Sequence, residues 1–388
     1  MVSDEAAMCS RSNLGDHASY MIARVESEQV DSGFIRIQLE GAQRWVGGLF
    51  RAVEVPEDDA DLVAEVLIGA DLRGIRSHGL ARVPYFLTRL QRGVIRARPR
   101  LSFEPRSPTT GVLGADDGIG IVAASRAMDE AMAMAAEVGC GFVLVKDSSH
   151  FGYAGFWAER AMRSGFIGIS MSNSGGRVAP TFGSDPILGT NPLAVAIPGA
   201  PGGTDFLLDM ATSAVAVGKV ETTLRESRPI PPGWVASEGA PLLDANGVLS
   251  FKSPLLPLGG EGTETGGHKG YGLALMVELL CGALGGTGFA ARIAGATGEA
   301  PPAMGHLMGA IRIDGFRPVE QVQNDMEATF EVIRESSRSP GRDRIYIHGE
   351  PEAEAAARHR REGIPVGAGV LAQLDRWAAI LGVGRLPR

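Results

Sequence analysis

A short polar segment, Arg73–Arg82, contains the residue types that proton transfer on a small organic acid requires. Ser77 and His78 are adjacent in it, and Arg82 follows four residues after the histidine. Histidine is the side chain whose ordinary pKa lets it exchange protons near neutral pH. The planar guanidinium of arginine binds a carboxylate through two parallel hydrogen bonds. The segment therefore suits a 2-hydroxy or 2-oxo acid, although a serine N-cap beside a surface histidine explains it at least as well when it is taken alone.

A second histidine follows an apolar run of strand length. His150 comes shortly after Gly141–Val145 and precedes a glycine and a helical pattern that starts at Ala154. Open sheets bind their ligands in loops at the carboxyl ends of strands. This position favours a functional histidine, and a histidine that merely caps the next helix is the alternative.

Three further segments interrupt apolar runs with polar residues. Ser172–Gly176 offers amide and hydroxyl groups to an anion or a ribose, although a plain turn has the same composition. Asp209 ends an apolar run and would be costly to bury without a partner, so it either orients a histidine or caps a helix. Lys269 begins an apolar helix, where its charge opposes the helix dipole, and either anion binding or solvent exposure explains its position.

The composition excludes several classes of function. The 388 residues are sufficient for two or three domains, and the net charge of -8 argues against nucleic acid or an anionic membrane as a partner. The three scattered cysteines predict no disulfide framework, and the seven histidines form no metal-binding pattern, so we expect no metal. The acidic N-terminus does not resemble a signal peptide, which predicts a cytoplasmic location. Glu278 interrupts the most apolar stretch, Tyr271–Ala291, and favours a buried helix over a membrane span.

Strands alternate with helices over most of the chain. No Gly-x-Gly-x-x-Gly motif follows a strand and opens a helix, so we reject a Rossmann fold and expect an α/β fold with a mixed sheet. The first thirty-odd residues are expected to form a mobile extension, and Arg96–Ser107 a linker. The predicted strands are Gly141–Val145, Phe166–Met171, Leu193–Ile197, Phe206–Leu208 and Leu307–Ile313. The predicted helices run from Pro56 to Gly74 and over Ala81–Arg92, Ile121–Val138, Ala154–Ser164, Lys269–Leu284, Glu350–Arg361 and Val370–Leu381.

Taken in order, these segments resemble the malate/L-lactate dehydrogenase family, which includes sulfolactate and ureidoglycolate dehydrogenases. The resemblance begins near Ile35 and continues to the C-terminus. It depends on ADLRGIRSHGLAR (70–82), DSSHFGYAGFWAERA (147–161), MSNSGG (171–176), LGTNPLAVAIP (188–198), LDMATS (208–213), GGHKGYGLALMVELLCGALGG (266–286) and HGEPEAEAAARHRREGI (348–364).

The resemblance implies NAD(P)-dependent oxidation of 2-hydroxy acids or reduction of 2-oxo acids, with malate as the first candidate substrate and lactate as the second. Sulfolactate, ureidoglycolate and cyclic imino acids are the alternatives, and a binding module without turnover is disfavoured because all residues of the catalytic type are present. It also implies a sulfolactate dehydrogenase-like, non-Rossmann fold and a homodimer. We expect an extension over 1–34, a helical domain over 35–110 completed by 316–388, and an α/β core over 111–315.

The resemblance marks Ser77, His78, His150 and Asp209 as catalytic positions and Arg82 as the substrate-binding residue. We expect His150 to be the base, His78 to orient the substrate oxygen and Asp209 to favour the required tautomer. The implied cofactor contacts are His150, Phe151, Gly152, Tyr153, Ala154, Ser174, Leu208, Asp209, Met210, Lys269, Gly349 and Glu350.

Two features leave the cofactor and the substrate open. The turn after Gly349 is rich in glutamate and should repel a 2′-phosphate, so we expect NAD rather than NADP. The chain departs from the family pattern in its extension before Ile35, in Ser237 at a place where an acid often stands, and in a longer loop over Gly259–Gly267. These departures affect the choice of substrate and cofactor more than the class of reaction.

Overall fold

Nine strands organise the part of the chain that the structure, a computed structural model, describes: residues 33–225, 229–236, 253–289, 293 and 300–387. The predicted extension up to residue 32 and Ser237 lie outside these residues. The strands are β1 (Phe34–Ile37), β2 (Ser102–Ser107), β3 (Thr110–Gly114), β4 (Cys140–Ser148), β5 (Phe166–Ser172), β6 (Leu193–Ile197), β7 (Phe206–Met210), β8 (Met304–Arg312) and β9 (Ile364–Gly367).

Seven of these strands form one mixed sheet in the order β2-β3-β4-β8-β5-β6-β7. The β3–β4 pair is parallel, and the other neighbouring pairs are antiparallel. This order differs from a doubly wound parallel sheet, and it confirms the predicted mixed α/β, non-Rossmann fold.

Ten α-helices are described. They are α1 (Leu39–Arg51), α2 (Glu57–Leu72), α3 (Val83–Gln91), α4 (Gly120–Val138), α5 (Ala154–Arg163), α6 (Val217–Arg225), α7 (Gly267–Glu278), α8 (Val319–Glu335), α9 (Glu350–Glu362) and α10 (Ala368–Leu381). A short 3-10 turn, Leu80–Arg82, precedes α3, and a π-helical segment, Leu279–Ala283, continues α7. The acidic first turn of α2 suits the positive end of the helix dipole. Gly139, with a φ of 98°, ends α4 as predicted.

The two ends of the described chain meet. Strands β1 and β9 pair antiparallel, with Phe34 opposite Gly367 and Ile37 opposite Ile364. Helices α1, α2, α3 and α10 bury their apolar faces in the same core, which includes Phe50 and Phe86. This arrangement brings segments from both ends together, as the resemblance implied.

Helix α2 also packs against α4, which covers β4. The turn that follows α2 therefore lies beside the loop that follows β4. These are the two segments that contain His78 and His150, so the packing of helices against the sheet places the two histidines in one site.

Some predicted elements need correction. Arg96–Ser107 is not a linker throughout, because Ser102–Ser107 forms the edge strand β2. The exposed side chains of β2 give it no apolar alternation by which it could be recognised. Helix α1 and strands β1 and β9 were not predicted. Among the described residues, no helix is long and apolar enough to cross a membrane.

Candidate active site

Two imidazole rings form the centre of the candidate site. The ring centroids of His78 and His150 lie 5.5 Å apart, with an angle of 34° between the ring planes. Both side chains are half-buried, so solvent still reaches them. Tyr85 and Phe86 of α3 complete the aromatic wall, with ring centroids 5.7 and 5.9 Å from that of His150.

A buried carboxylate holds the turn that carries His78. Asp71, at the end of α2, accepts a hydrogen bond of 2.7 Å from the Leu80 amide. A side chain at Gly79 would overlap the Asp71 carboxylate, so this position requires glycine. Burial raises the pKa of Asp71 to about 7, while the Leu80 amide and the charge of Arg76 oppose the increase. The carboxyl group of Asp71 therefore holds the turn, although its burial disfavours the ionised form of that group.

Hydrogen bonds orient both imidazoles. Ser77 Oγ lies 2.8 Å from His78 Nδ1, and this contact is compatible with either tautomer of the ring. The Gly152 amide donates to His150 Nδ1 at 3.1 Å. A nitrogen that accepts a hydrogen bond carries no proton, so neutral His150 has its proton on Nε2.

Both histidines are neutral without a ligand. Burial, and secondarily the charge of Arg82, lower the pKa of His78 to about 3. Burial lowers the pKa of His150 well below its usual range, and His78 and Arg82 lower it further. The positive charge of Arg82 lowers the pKa of both histidines, so an anion that neutralises Arg82 would raise both pKa values.

A carboxylate of the protein already engages Arg82. The Arg82 guanidinium forms an ion pair of 3.2 Å with Glu221 of α6 and donates through Nε to the Ser77 carbonyl at 2.6 Å. A second arginine, Arg177, belongs to the same cluster. Burial lowers the pKa of Arg177 to about 10, with the charge of Glu221 opposing the decrease and that of Arg82 adding to it. The predicted carboxylate anchor is thus one of two arginines around a single glutamate.

Asp209 lies in a different part of the site. Its carboxylate accepts a hydrogen bond of 2.9 Å from the Gly155 amide at the start of α5. Among the described residues it forms no hydrogen bond with either imidazole, so the contact seen for Asp209 is with the start of a helix, and the expected orienting role stays a prediction. The Asp209 residue is exposed, but protein packed around its carboxylate removes part of the water there and raises its pKa to about 6. The negative charge of Glu352 also raises this pKa.

Two of the expected cofactor residues direct their side chains into the core. The Phe151 ring stacks on the fully buried His306 at 4.7 Å. Tyr153 is buried, and its pKa is raised by burial and lowered by a hydrogen bond with Arg73. Only the backbone of these residues remains available to a ligand. Gly152 between them has a φ of 87°, which favours glycine.

The turn at Gly349 contacts the start of β7. The Leu207 amide donates to the His348 carbonyl at 3.0 Å, and a Cβ at Gly349 would lie 3.0 Å from that of Leu207. Gly349 and Glu350 thus lie beside the strand that contains Leu208, Asp209 and Met210. Glu350 pairs with Arg334 at 2.8 Å and with Arg344 at 3.1 Å. The turn is therefore an ion-paired cluster in which two arginines partly balance the glutamates.

A buried polar network positions Ser174. The Ser174 amide donates to Asn191 Oδ1 at 3.1 Å. Both Asn191 and Asn173 donate through Nδ2 to the buried carboxyl group of Glu278, at 2.8 and 3.1 Å. Lys269 is exposed at the start of α7, and among the described residues its side chain forms no hydrogen bond with His78 or His150. Among the described residues, no three histidine, cysteine or acidic side chains are grouped so that they could hold a metal ion.

Sequence reasoning missed several residues of this site. Tyr85 and Arg89 follow Arg82 at intervals of three and seven residues, so helical periodicity could have placed them on its face. The Arg89 guanidinium lies 3.8 Å from the centroid of the Tyr85 ring. Glu221 and Arg177 gave no comparable signal, because they are distant from Arg82 in the sequence.

Comparison with known proteins agrees with this fold. A family model for malate/L-lactate dehydrogenase matches residues 37–375. The chain belongs to the malate/L-lactate dehydrogenase family. A malate dehydrogenase of Pyrococcus abyssi is 40% identical over 359 residues, which are 92% of this chain and 98% of that protein. An L-sulfolactate dehydrogenase of Methanocaldococcus jannaschii is 35% identical over 346 residues, 89% of this chain and 96% of that protein. The structure of malate dehydrogenase from Pyrococcus horikoshii OT3 has a TM-score of 0.86 and 36% identity, and the match covers 93% of this chain and 99% of that one.

Members of the malate/L-lactate dehydrogenase family differ in the cofactor that they use. The ureidoglycolate dehydrogenase (NAD(+)) of Escherichia coli K12 is 33% identical over 80% of this chain and 86% of its own length. The (2R)-3-sulfolactate dehydrogenase (NADP(+)) of Chromohalobacter salexigens is 33% identical over 88% of this chain and 98% of its own length. Both relatives are named for a nicotinamide cofactor, and the chain described here is therefore a dehydrogenase that uses a nicotinamide cofactor.

Proposed function

We propose that this protein transfers a hydride between a nicotinamide cofactor and C2 of a small 2-hydroxy or 2-oxo acid, with malate as the first substrate and lactate as the second. One observation supports this proposal most strongly: two neutral imidazoles 5.5 Å apart adjoin an arginine whose guanidinium already binds a carboxylate. This is a combination of a proton acceptor with an anchor for an organic acid.

Arg82 would bind the substrate carboxylate after Glu221 gives up its place. His150 would then take the hydroxyl proton as the hydride leaves C2, and His78 would hold the substrate oxygen. Neutral His150 accepts from Gly152 at Nδ1 and carries its proton on Nε2, so it would first have to move this proton to Nδ1 and give up the Gly152 hydrogen bond, which frees Nε2 to take the hydroxyl proton. One such hydrogen bond contributes about 1 kcal/mol, which is small beside a catalytic barrier. The Gly152 contact is therefore compatible with His150 as the base.

Cofactor binding is supported where α5, β7 and the Gly349 turn meet. The bound nicotinamide would supply or accept the hydride. The backbone from His150 to Ala154 and the carboxylates of Asp209 and Glu352 provide hydrogen-bonding groups for its ribose and amide groups. We propose NAD over NADP, because the neighbouring negative charges of Asp209 and Glu352 would repel a phosphate on a ribose bound beside them. Arg344 at the same turn is the residue that would oppose this preference.

We also propose a homodimer and a cytoplasmic location. An apolar surface at the π-helical extension of α7 supports the dimer. Leu279, the first residue of the extension, is 53% exposed, and Leu284, the residue that follows the extension, is 65% exposed. A monomeric protein rarely leaves large apolar side chains together in water. Cys140 and Cys281 are free, which suits a reducing compartment. Sedimentation of wild type and Leu279→Lys would test the dimer, since a monomeric wild type refutes it.

The experiment that tests the activity is a panel of acids followed at 340 nm. Malate, lactate, sulfolactate and ureidoglycolate are each offered with NAD and with NADP. We expect the highest kcat/KM for malate with NAD, and no reduction of either cofactor by any of the four acids would refute the proposed function. The variants His150→Ala and His78→Ala then assign the base. Loss of the base should cost about 10²- to 10⁴-fold and remove the acidic limb of the pH profile, so a limb that vanishes only in His78→Ala reverses the two roles.

A further inference from the structure

A cluster of three charged side chains, Arg82, Glu221 and Arg177, adjoins the imidazole pair. The side chains of Arg82 and Glu221 are 21% and 28% exposed in their ion pair. Gly218 of the same helix as Glu221 packs directly on Ser77, so α6 brings Glu221 to the turn of the site. Val220, the neighbour of Glu221 on α6, packs in one buried cluster with Val178, the neighbour of Arg177. Glu221 and Arg82 are also the charged groups that act on the Arg177 guanidinium. The three charges therefore belong to one partly desolvated group.

The backbone fixes the position of Arg177. Its amide donates to the Leu188 carbonyl at 2.7 Å, and its carbonyl accepts from the Leu255 amide at 2.8 Å. The next residue, Val178, is fully buried and forms bridges to the same two segments. Arg177 is thus held on both sides, and its half-buried side chain extends from a rigid support rather than from a free loop.

The charges of this cluster do not cancel. Two guanidinium groups face one carboxylate, so this cluster carries a single net positive charge, and Arg89 adds a further positive charge that acts on His150. A monoanionic acid would balance the net charge of the cluster but not the positive charge of an oxidised nicotinamide ring bound beside it. A dianionic acid would balance both. In the reverse direction the same sum holds, because an imidazolium replaces the charge of the oxidised ring.

We propose that Arg177 binds the second anionic group of a dianionic 2-hydroxy acid, so that the site prefers four-carbon diacids and carboxylate–sulfonate acids over monocarboxylates. This inference depends on the proposed function. Arg82 binds the carboxylate beside the reacting carbon, Arg177 binds the distal group, and Glu221 keeps the two guanidinium groups together when no substrate is bound. A guanidinium has five N–H donors, so Arg177 can serve Glu221 and a substrate group together.

The test compares malate with lactate in wild type, Arg177→Met and Arg177→Lys. Truncating one partner of a desolvated charge pair is expected to lower kcat/KM for malate by about 30- to 1000-fold. The ratio of malate to lactate kcat/KM should fall by a similar factor, and Arg177→Lys should restore part of it. Arg126→Met is the matched control, because Arg126 is 58% exposed on α4 and pairs with Glu130. A malate-to-lactate ratio that is unchanged in Arg177→Met overturns the proposal.

A binding experiment separates this inference from the proposed function. Succinate and butyrate have the same chain length and no hydroxyl group, so neither is oxidised at C2. Calorimetry on wild type with bound cofactor should show tighter binding of succinate, and Arg177→Met should abolish the difference. Equal affinities in wild type overturn the role of Arg177 even if the enzyme oxidises hydroxy acids. Preferential binding of succinate that requires Arg177, in a protein that oxidises none of the acids, would support the anion site and reject the proposed reaction.

Discussion

Binding of a 2-oxo acid should cause this protein to take up a proton. Without a ligand the pKa of His150, the proposed proton carrier, lies well below its usual range, and that of the neighbouring His78 is about 3, so both are almost entirely neutral at pH 7. To make an imidazolium half-populated at pH 7, ligand binding has to contribute about 5 kcal/mol. A carboxylate about 4 Å from an imidazolium contributes about 4 kcal/mol near a protein surface. Neutralisation of Arg82 acts in the same direction, so the two effects are of sufficient size.

Calorimetry in two buffers with different heats of ionisation measures this proton uptake. Oxamate, which cannot be reduced, is titrated into enzyme with bound NADH at pH 7. We expect uptake of about half a proton or more per site at pH 7, and a smaller uptake in Arg82→Gln, in which the anchor is lost. Saturable binding of oxamate without proton uptake between pH 6 and pH 8 would refute the coupling. The histidines of the free enzyme are neutral, so the enzyme has to take up the proton that reduction uses. For this reason kcat/KM for oxo acid reduction should fall as the pH rises.

Three further substitutions test the support of the site. Arg82→Gln should lower kcat/KM for every accepted acid by about 2–5 kcal/mol while cofactor affinity stays constant; Arg126→Gln is the control, and an unaltered kcat/KM removes Arg82 from the site. Gly79→Ala should displace the Asp71 carboxylate and lower both kcat and the free energy of unfolding. Full activity in this variant would contradict the close contact between Gly79 and Asp71. Glu278→Gln should lower the free energy of unfolding by about 1–3 kcal/mol in urea, because an amide cannot accept from both asparagines, and an unchanged unfolding midpoint would exclude this role.

Local sequence patterns predicted the parts of the site that depend on short spacing. His78 and Arg82 lie within one turn, and His150 follows a strand that was recognised by its apolar run. The fold class followed from the alternation of strands with helices and from a missing glycine motif. Each of these inferences uses residues that are close in the sequence.

Long-range pairs could not be predicted in this way. Arg82 and Glu221 are separated by 139 positions, and Asp209 and Gly155 by 54. In one sequence no spacing rule links such residues, because packing of whole helices and strands decides which segments meet. The same limit explains why the contact of Asp209 with the start of α5 was not predicted. Helix α1 is a different case: Trp45, Leu49 and Phe50 have helical spacing that the sequence analysis did not use.

Asp71 illustrates how the site lowers stability in exchange for geometry, and Asp71→Asn tests this. Burial raises its pKa from 3.8 to about 7, so ionisation of this group costs the folded state about 4 kcal/mol at pH 8. The raised pKa means that this cost is absent below pH 4 and grows as the pH rises to 7. Asparagine keeps an oxygen for the Leu80 amide but carries no charge, so the melting temperature of Asp71→Asn should exceed that of wild type at pH 8 and match it near pH 4. Activity should fall at the same time, because the His78 turn would be held less firmly. A variant that is less stable than wild type at pH 8 would show that the ionised carboxylate contributes more through Leu80 and Arg76 than its burial costs.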